Sequence, residues 1–310
     1  MADWPELDSA RDGPTFVTLH LVSQMLGKLR VAHAPWLNHG WHATLRPSAA
    51  GLAVLPTAAS NGRTFTLTLD LCRHGIGLSA SDGGEDFLPF QSQTIAELHA
   101  GLISMLAEHG LPSSFHGRPN EVPDAVRFAE DHAPRYYDRD SAGRLHEALA
   151  RIVPVFDRFR AGFRGKASPV HFFWGSFDLA VTRFSGHEAP EHPGGIPGLP
   201  DRITREAYSH EVSSAGFWPG GASAPPDTEP LFYSYAYPEP EGFRESDSEL
   251  DLEGAIFDAT LGEYVLSYAH VRDSAAPERA LMMFLQSSYN RAANLADWNR
   301  QALEREPVAP

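Results

Sequence analysis

Residues 63–80 read RTFTLTLDLCRHGIGLSA, and their alternation decides the fold class. Phe65, Leu67, Leu69 and Leu71 fall on one side of an extended chain, with Thr64, Thr66, Thr68 and Asp70 on the other. A strand with one apolar face belongs to an antiparallel sheet buried on one side. After a turn at Arg73 to Gly75, Ile76, Leu78 and Ala80 repeat the pattern, so the stretch is a hairpin.

Outward from this hairpin the period changes to that of helices. Thr94 with Glu97 three residues on is a capping box, and Ile95, Leu98, Leu102 and Met105 form the stripe behind it. Upstream, a helix is expected from Pro14, with Leu19, Val22, Leu26 and Leu29 inward and Pro35 past its end. His20, Gln24 and Lys28 lie four residues apart, either as a solvated face or as a polar stripe lining a site. Between this helix and the hairpin, WLNHGWHATLRPSAAGLAVLPT reads as two strands turning at Ser48 to Gly51.

The segment from Phe115 to Pro134 is proline-broken and aperiodic and divides the chain into halves, 1–135 and 136–310. The second half opens with a helix from about Ser141 that Pro154 is expected to kink or split. Strands follow at Val170 to Trp174, Phe177 to Phe184 and Leu231 to Tyr237. A hairpin turns at Leu261-Gly262, and a last helix begins near Pro277. A long Pro/Gly/aromatic loop is expected over 186–230. The fold class is α+β: two similar helix–antiparallel-strands–helix halves in one compact body. Gly27-Lys28 and Gly165-Lys166 each end a helix before a His/Trp-rich strand pair, which points to an internal duplication. In that arrangement His39 and His42 approach His171.

The 310 residues carry a formal net charge of -15, which disfavours a nucleic-acid partner. No run of 18 apolar residues suggests a membrane span, and MADWPELDSARDG lacks the features of a secretory signal. With Cys72 the only cysteine, the expected location is the cytoplasm.

The stretch PVHFFWGSFDLAVTRFSG, followed by HPGGIPGLPD and YSHEVSSAGFWPGG, is long and specific. With PWLNHGWHATL near the start, it resembles a mostly bacterial family of uncharacterised proteins catalogued as a domain of unknown function. The resemblance spans nearly the whole chain and implies a stable architecture, with no activity or catalytic residue to carry over.

Function therefore rests on the residues. Walker, G-x-G-x-x-G, G-x-S-x-G, C-x-x-C and H-E-x-x-H patterns are absent. A dispersed set remains, and it supports a small-molecule enzyme. His171, His210, Glu211 and Asp178 are the catalytic candidates. His171, His210 and Glu211 are the candidate ligands of a divalent metal. Arg183, Trp174, Tyr208 and Trp218 are the candidates for binding a small-molecule substrate. The alternative is a non-catalytic small-molecule-binding or protein-interaction module that uses the aromatic loop.

Overall fold

The hairpin at 63–80 forms two strands of a single large sheet. The protein is described as a computed structural model covering residues 4–91, 93–224, 228–245, 250 and 252–305. In chain order the first half contributes α1 (Ser9–His33), β1 (Leu45–Ser48), β2 (Gly51–Val54), β3 (Thr57–Ala58), β4 (Thr64–Asp70), β5 (Gly75–Ala80), β6 (Glu85–Pro89) and α2 (Ile95–Glu108). The second half contributes α3 (Arg139–Ala161), β7 (His171–Phe173), β8 (Asp178–Glu188), α4 (Asp201–Ala207), β9 (His210–Trp218), β10 (Leu231–Tyr237), β11 (Ile256–Asp258), β12 (Glu263–Ser267), α5 (Tyr268–Asp273), α6 (Pro277–Leu295) and α7 (Arg300–Leu303).

The sheet runs β11-β12-β10-β9-β8-β7-β1-β2-β4-β5-β6, and β3 pairs with β4. Neighbours are antiparallel throughout. Each half meanders outward from the central pair of β1 and β7, which meet at Leu45 opposite Phe172. One face is the core. Leu52, Phe65, Leu67, Leu69, Ile76, Leu179, Val181, Phe217 and Phe232 are buried there, as are Leu19, Leu26, Ile152, Phe156, Phe284 and Leu285 of the helices. The other face stays half-exposed in the first half, where Thr66, Thr68 and Ser79 lie. In the second half that face takes up most of the polar groups considered below. Among the described residues, no helix is long and apolar enough to cross a membrane.

Several expectations change. α1 begins at Ser9, because Asp8 caps it by accepting from the Arg11 amide at 2.7 Å; Pro14 lies within the helix. α3 is assigned as one helix through Pro154, whose exposed side leaves the freed carbonyl within reach of water. The expected 186–230 loop contains the end of β8, α4 and the whole of β9; its positions 225–227 lie outside the described residues. β6 was not legible: it is a short, charge-bearing edge strand. The matched hairpins also differ in place. β4 lies on the inner side of its hairpin with β5, whereas β12, the second strand of its hairpin, lies inside β11.

Candidate functional site

The β7–β8 turn, Trp174 to Phe177, is the point on which the polar side chains converge. Phe177 has φ of 64° and Glu121 φ of 57°, left-handed values that bulky side chains rarely adopt. The polar stripe of α1 supports this turn. His20 Nε2 donates to the Gly175 carbonyl at 2.9 Å, and its Nδ1 accepts from the Ala222 amide at 3.0 Å, which fixes the tautomer. Burial brings His20 down to about 4, so it is a neutral strut at physiological pH. Gln24 donates to the Asn120 carbonyl at 2.7 Å and accepts from the Asn120 amide at 2.8 Å. Gly27 has no side chain because the Trp174 ring occupies that space.

Lys28 comes next on the stripe. Its ammonium group contacts Asn120 Oδ1 and lies 5.3 Å from the Trp174 ring centre. Burial lowers it to about 8, against the opposing pull of Glu121. Glu121 lies over Gly175, where a Cβ would collide with its carboxylate. Burial and then Asp178 raise Glu121 to about 7, with Lys28 pulling the other way.

Asp178 opens β8 and is 5% exposed. Ser176 donates to its Oδ1 and Tyr233 to its Oδ2. Burial raises Asp178, and these two hydroxyls partly offset the rise. Tyr233 reaches from β10 across β9, its ring lying where Gly216 has no side chain. Glu263 is two residues from Val265, the partner of Tyr233, and so shares that face. Burial and then Asp178 raise Glu263 to about 8. Tyr235 accepts from the Tyr208 hydroxyl at 2.9 Å, and Trp218 donates to the Ser176 carbonyl at 3.0 Å. Three carboxyl groups, Lys28 and an aromatic wall therefore share one end of the sheet. Such clusters of displaced titration are where acid–base chemistry is found.

Of the residues singled out in sequence, Asp178, Trp174, Tyr208 and Trp218 belong to this cluster. Arg183 does not. It lies five residues along β8 from Asp178, on the opposite face, stacked 3.5 Å from the Phe159 ring centre and 4.2 Å from that of Tyr289. Its guanidinium donates to the Phe159 carbonyl, and burial lowers it to about 10.

The histidines and Glu211 are not gathered on one point. His171 is fully buried, 4.5 Å from the Phe173 ring and 6.5 Å from that of Trp41 between ring centres, and neither of its nitrogens has a hydrogen-bond partner among the described residues. Burial and then Arg46 bring it down to about 3. His210 lies further along this face, bonded to Ser209 at 3.1 Å and 6.0 Å from the His39 ring centre. Glu211 points the other way and pairs with His187 at 3.5 Å. Among the described residues, no group of three or more His, Cys, Asp or Glu is placed to hold a metal ion. Of the two first-half histidines expected to approach His171, His39 meets the second half at α4, while the hydrogen-bond and ring neighbours of the His42 ring belong to the first half. His39 contacts the backbone of Glu206 and Ala207 at 3.1 and 3.3 Å, and the His42 ring lies 4.7 Å from that of Trp36.

Sequence reasoning missed Glu121 and Glu263. Glu121 lies in the aperiodic proline-rich connection, where its left-handed backbone leaves no pattern. Glu263 begins a short hairpin strand as an ordinary polar residue would, and only its register with Tyr233 places it on the site.

No curated protein and no solved structure matches the chain. Residues 4–305 match the description "Family of unknown function (DUF5996)", and the chain belongs to that family.

Proposed function

We propose that the protein is an enzyme that binds a small polar molecule at the Asp178 end of the sheet and acts on it by proton transfer. The observation that carries this is the trio of Asp178, Glu121 and Glu263. All three carboxyl groups are displaced upward, Glu121 to about 7 and Glu263 to about 8. Near neutrality such a set offers a carboxylic acid and a carboxylate side by side, the pairing needed by a general acid and a general base. Lys28, lowered to about 8, would exchange a proton with Glu121. Tyr233 and Ser176 orient Asp178, Trp218 holds the Ser176 carbonyl, and Tyr235 stacks on Tyr233. Hydroxyl-rich or amine-bearing molecules suit this mixture of acceptors, donors and rings.

A thermal-shift panel of sugars, polyols and amines between pH 6 and 8 tests the reading, followed by NMR monitoring of ligand turnover. Asp178→Asn is expected to weaken binding at least ten-fold. Glu121→Gln is expected to keep binding within a few-fold and abolish turnover. A ligand bound equally well by Asp178→Asn, or a panel with no ligand at all, would sink the proposal.

Two subsidiary readings accompany it. The outward meander of both halves from β1 and β7 supports an ancestral duplication, with the outer hairpins rearranged afterwards. The unpaired, exposed Cys72 thiol supports a reducing, cytoplasmic location.

A further inference from the structure

The chain contains two lysines, Lys28 and Lys166, among 25 Lys and Arg residues. Lys28 belongs to the acid cluster; Lys166 does not. Lys166 Nζ lies 2.6 Å from His39 Nε2. On the other side of that ring, Nδ1 faces the carbonyl oxygens of Glu206 and Ala207 at 3.1 and 3.3 Å. Carbonyl oxygens only accept, so Nδ1 carries the ring hydrogen and Nε2 turns a lone pair toward the lysine. His39 is held there by a left-handed backbone, φ 58°.

The remaining surroundings of the amine are aromatic. Nζ lies 4.9 Å from the Phe184 ring centre and 5.7 Å from that of Trp41. The titratable groups facing the pair are the imidazoles themselves, with His210 on β9 at 6.0 Å between ring centres from His39. Burial holds Lys166 below its ordinary range, and His39 is lowered by burial, Lys166 and His210. Lys166 is exposed, so a reagent can reach it. A surface lysine usually meets a carboxylate or water. This one meets a base.

We propose that Lys166 is a nucleophilic amine, activated by His39, that condenses with the carbonyl of a small aldehyde or ketone. His39 Nε2 takes a proton from the ammonium group. The freed electron pair on Nζ forms a C–N bond to the carbonyl carbon, the C=O π pair moves to oxygen, and the imidazolium returns the proton there. His39 then carries a second proton from nitrogen to that hydroxyl, which leaves as water. The net change is one ammonium and one carbonyl to one protonated imine and one water, with no oxidant or reductant. Lysines activated in this way by an apolar setting or a neighbouring base are established carbonyl nucleophiles.

The probe is glyoxylate with sodium cyanoborohydride, which reduces the imine to a stable adduct. The full chain is treated at pH 7 and mapped by peptide mass spectrometry. The chain's two lysines and its terminal amine fall in separate peptides. Lys166 is expected to react at least ten-fold faster than Nα-acetyl-lysine amide in the same tube. Its rate should rise less steeply between pH 7 and 10 than that of the free derivative, which changes roughly 700-fold. His39→Ala and His39→Gln should both slow Lys166 to the rate of the free derivative and leave Lys28 unaffected. Lys166 reacting no faster than the free derivative overturns the proposal without any variant. So does a rate indifferent to both His39 substitutions in folded protein.

Discussion

Tyr233 on β10 hydrogen-bonds Asp178 on β8, two strands away, with its ring over the bare backbone of Gly216 on the strand between them. A buried carboxyl group is thereby reached by a hydroxyl that ordinary strand spacing would keep from it. Gly216→Ala places a methyl group where the ring lies. It is expected to cost about 1–3 kcal/mol through overpacking. Tyr233→Phe, which removes only the hydroxyl, should cost about 1.5–3 kcal/mol. Urea denaturation of both variants checks this; a Gly216→Ala protein as stable as the wild type would show that the ring is not seated there.

Stability should pass through a broad maximum near pH 5.5. Glu121 and Glu263 release their protons near 4.5 when unfolded and at about 7 and 8 when folded, so the folded state holds extra protons across that range. Raising the pH from 4.5 to 8 therefore destabilises the fold through these two groups. His20 and His171 act in the opposite sense: they gain protons below 6.5 when unfolded but only near 4 and 3 when folded. Between about 6.5 and 4.5 the two pairs offset one another, and only below about 5 does the histidine contribution favour the unfolded chain. Melting temperatures across pH 4 to 9 should fall on both sides of the maximum, by an amount on the order of 5 °C. Glu121→Gln with Glu263→Gln should flatten the alkaline side and move the onset of the acid-side fall up toward pH 6.5.

His171→Leu is expected to raise stability by about 1–3 kcal/mol. Its two ring nitrogens are buried without hydrogen-bond partners among the described residues, and desolvating such a group is a cost that an apolar side chain avoids. Differential scanning calorimetry decides the matter; a loss of stability would mean that the imidazole has a favourable interaction in the native protein.

Arg183→Lys should destabilise the fold by about 2 kcal/mol and leave ligand affinity at the Asp178 end within two-fold. The planar guanidinium stacks on Phe159 and Tyr289, and an ammonium group cannot reproduce that contact. Calorimetry with a ligand from the panel separates the two effects. A large drop in affinity with unchanged stability would return Arg183 to the substrate-binding role suggested by its sequence.

The sheet was legible because alternation over Phe65 to Leu71 has one physical cause, a strand buried on one side. The cap at Thr94 was legible for a similar reason, since side chain and backbone satisfy each other within four residues. Lys28 was flagged as part of a polar stripe, yet spacing alone could not say that the stripe faces Gly175 across the helix–sheet boundary. Glu121 and Glu263 were invisible because their roles arise from burial beside Asp178, more than 50 residues away in either direction. Arg183 misled because a cation on a strand gives no sign of which face it occupies.

The central pair of β1 and β7 gives the sheet little backbone bonding between the halves, with Leu45 opposite Phe172 the one pair in register among the described residues. Lys28 and Glu121 come from one half, and Asp178, Tyr233 and Glu263 from the other. A chain cleaved in the proline-rich connection would therefore leave each fragment with only part of the constellation. Recovered activity on mixing the fragments would then be a direct assay of their reassembly, and any ligand bridging Glu121 and Asp178 would act as a molecular clasp that favours the reunited form.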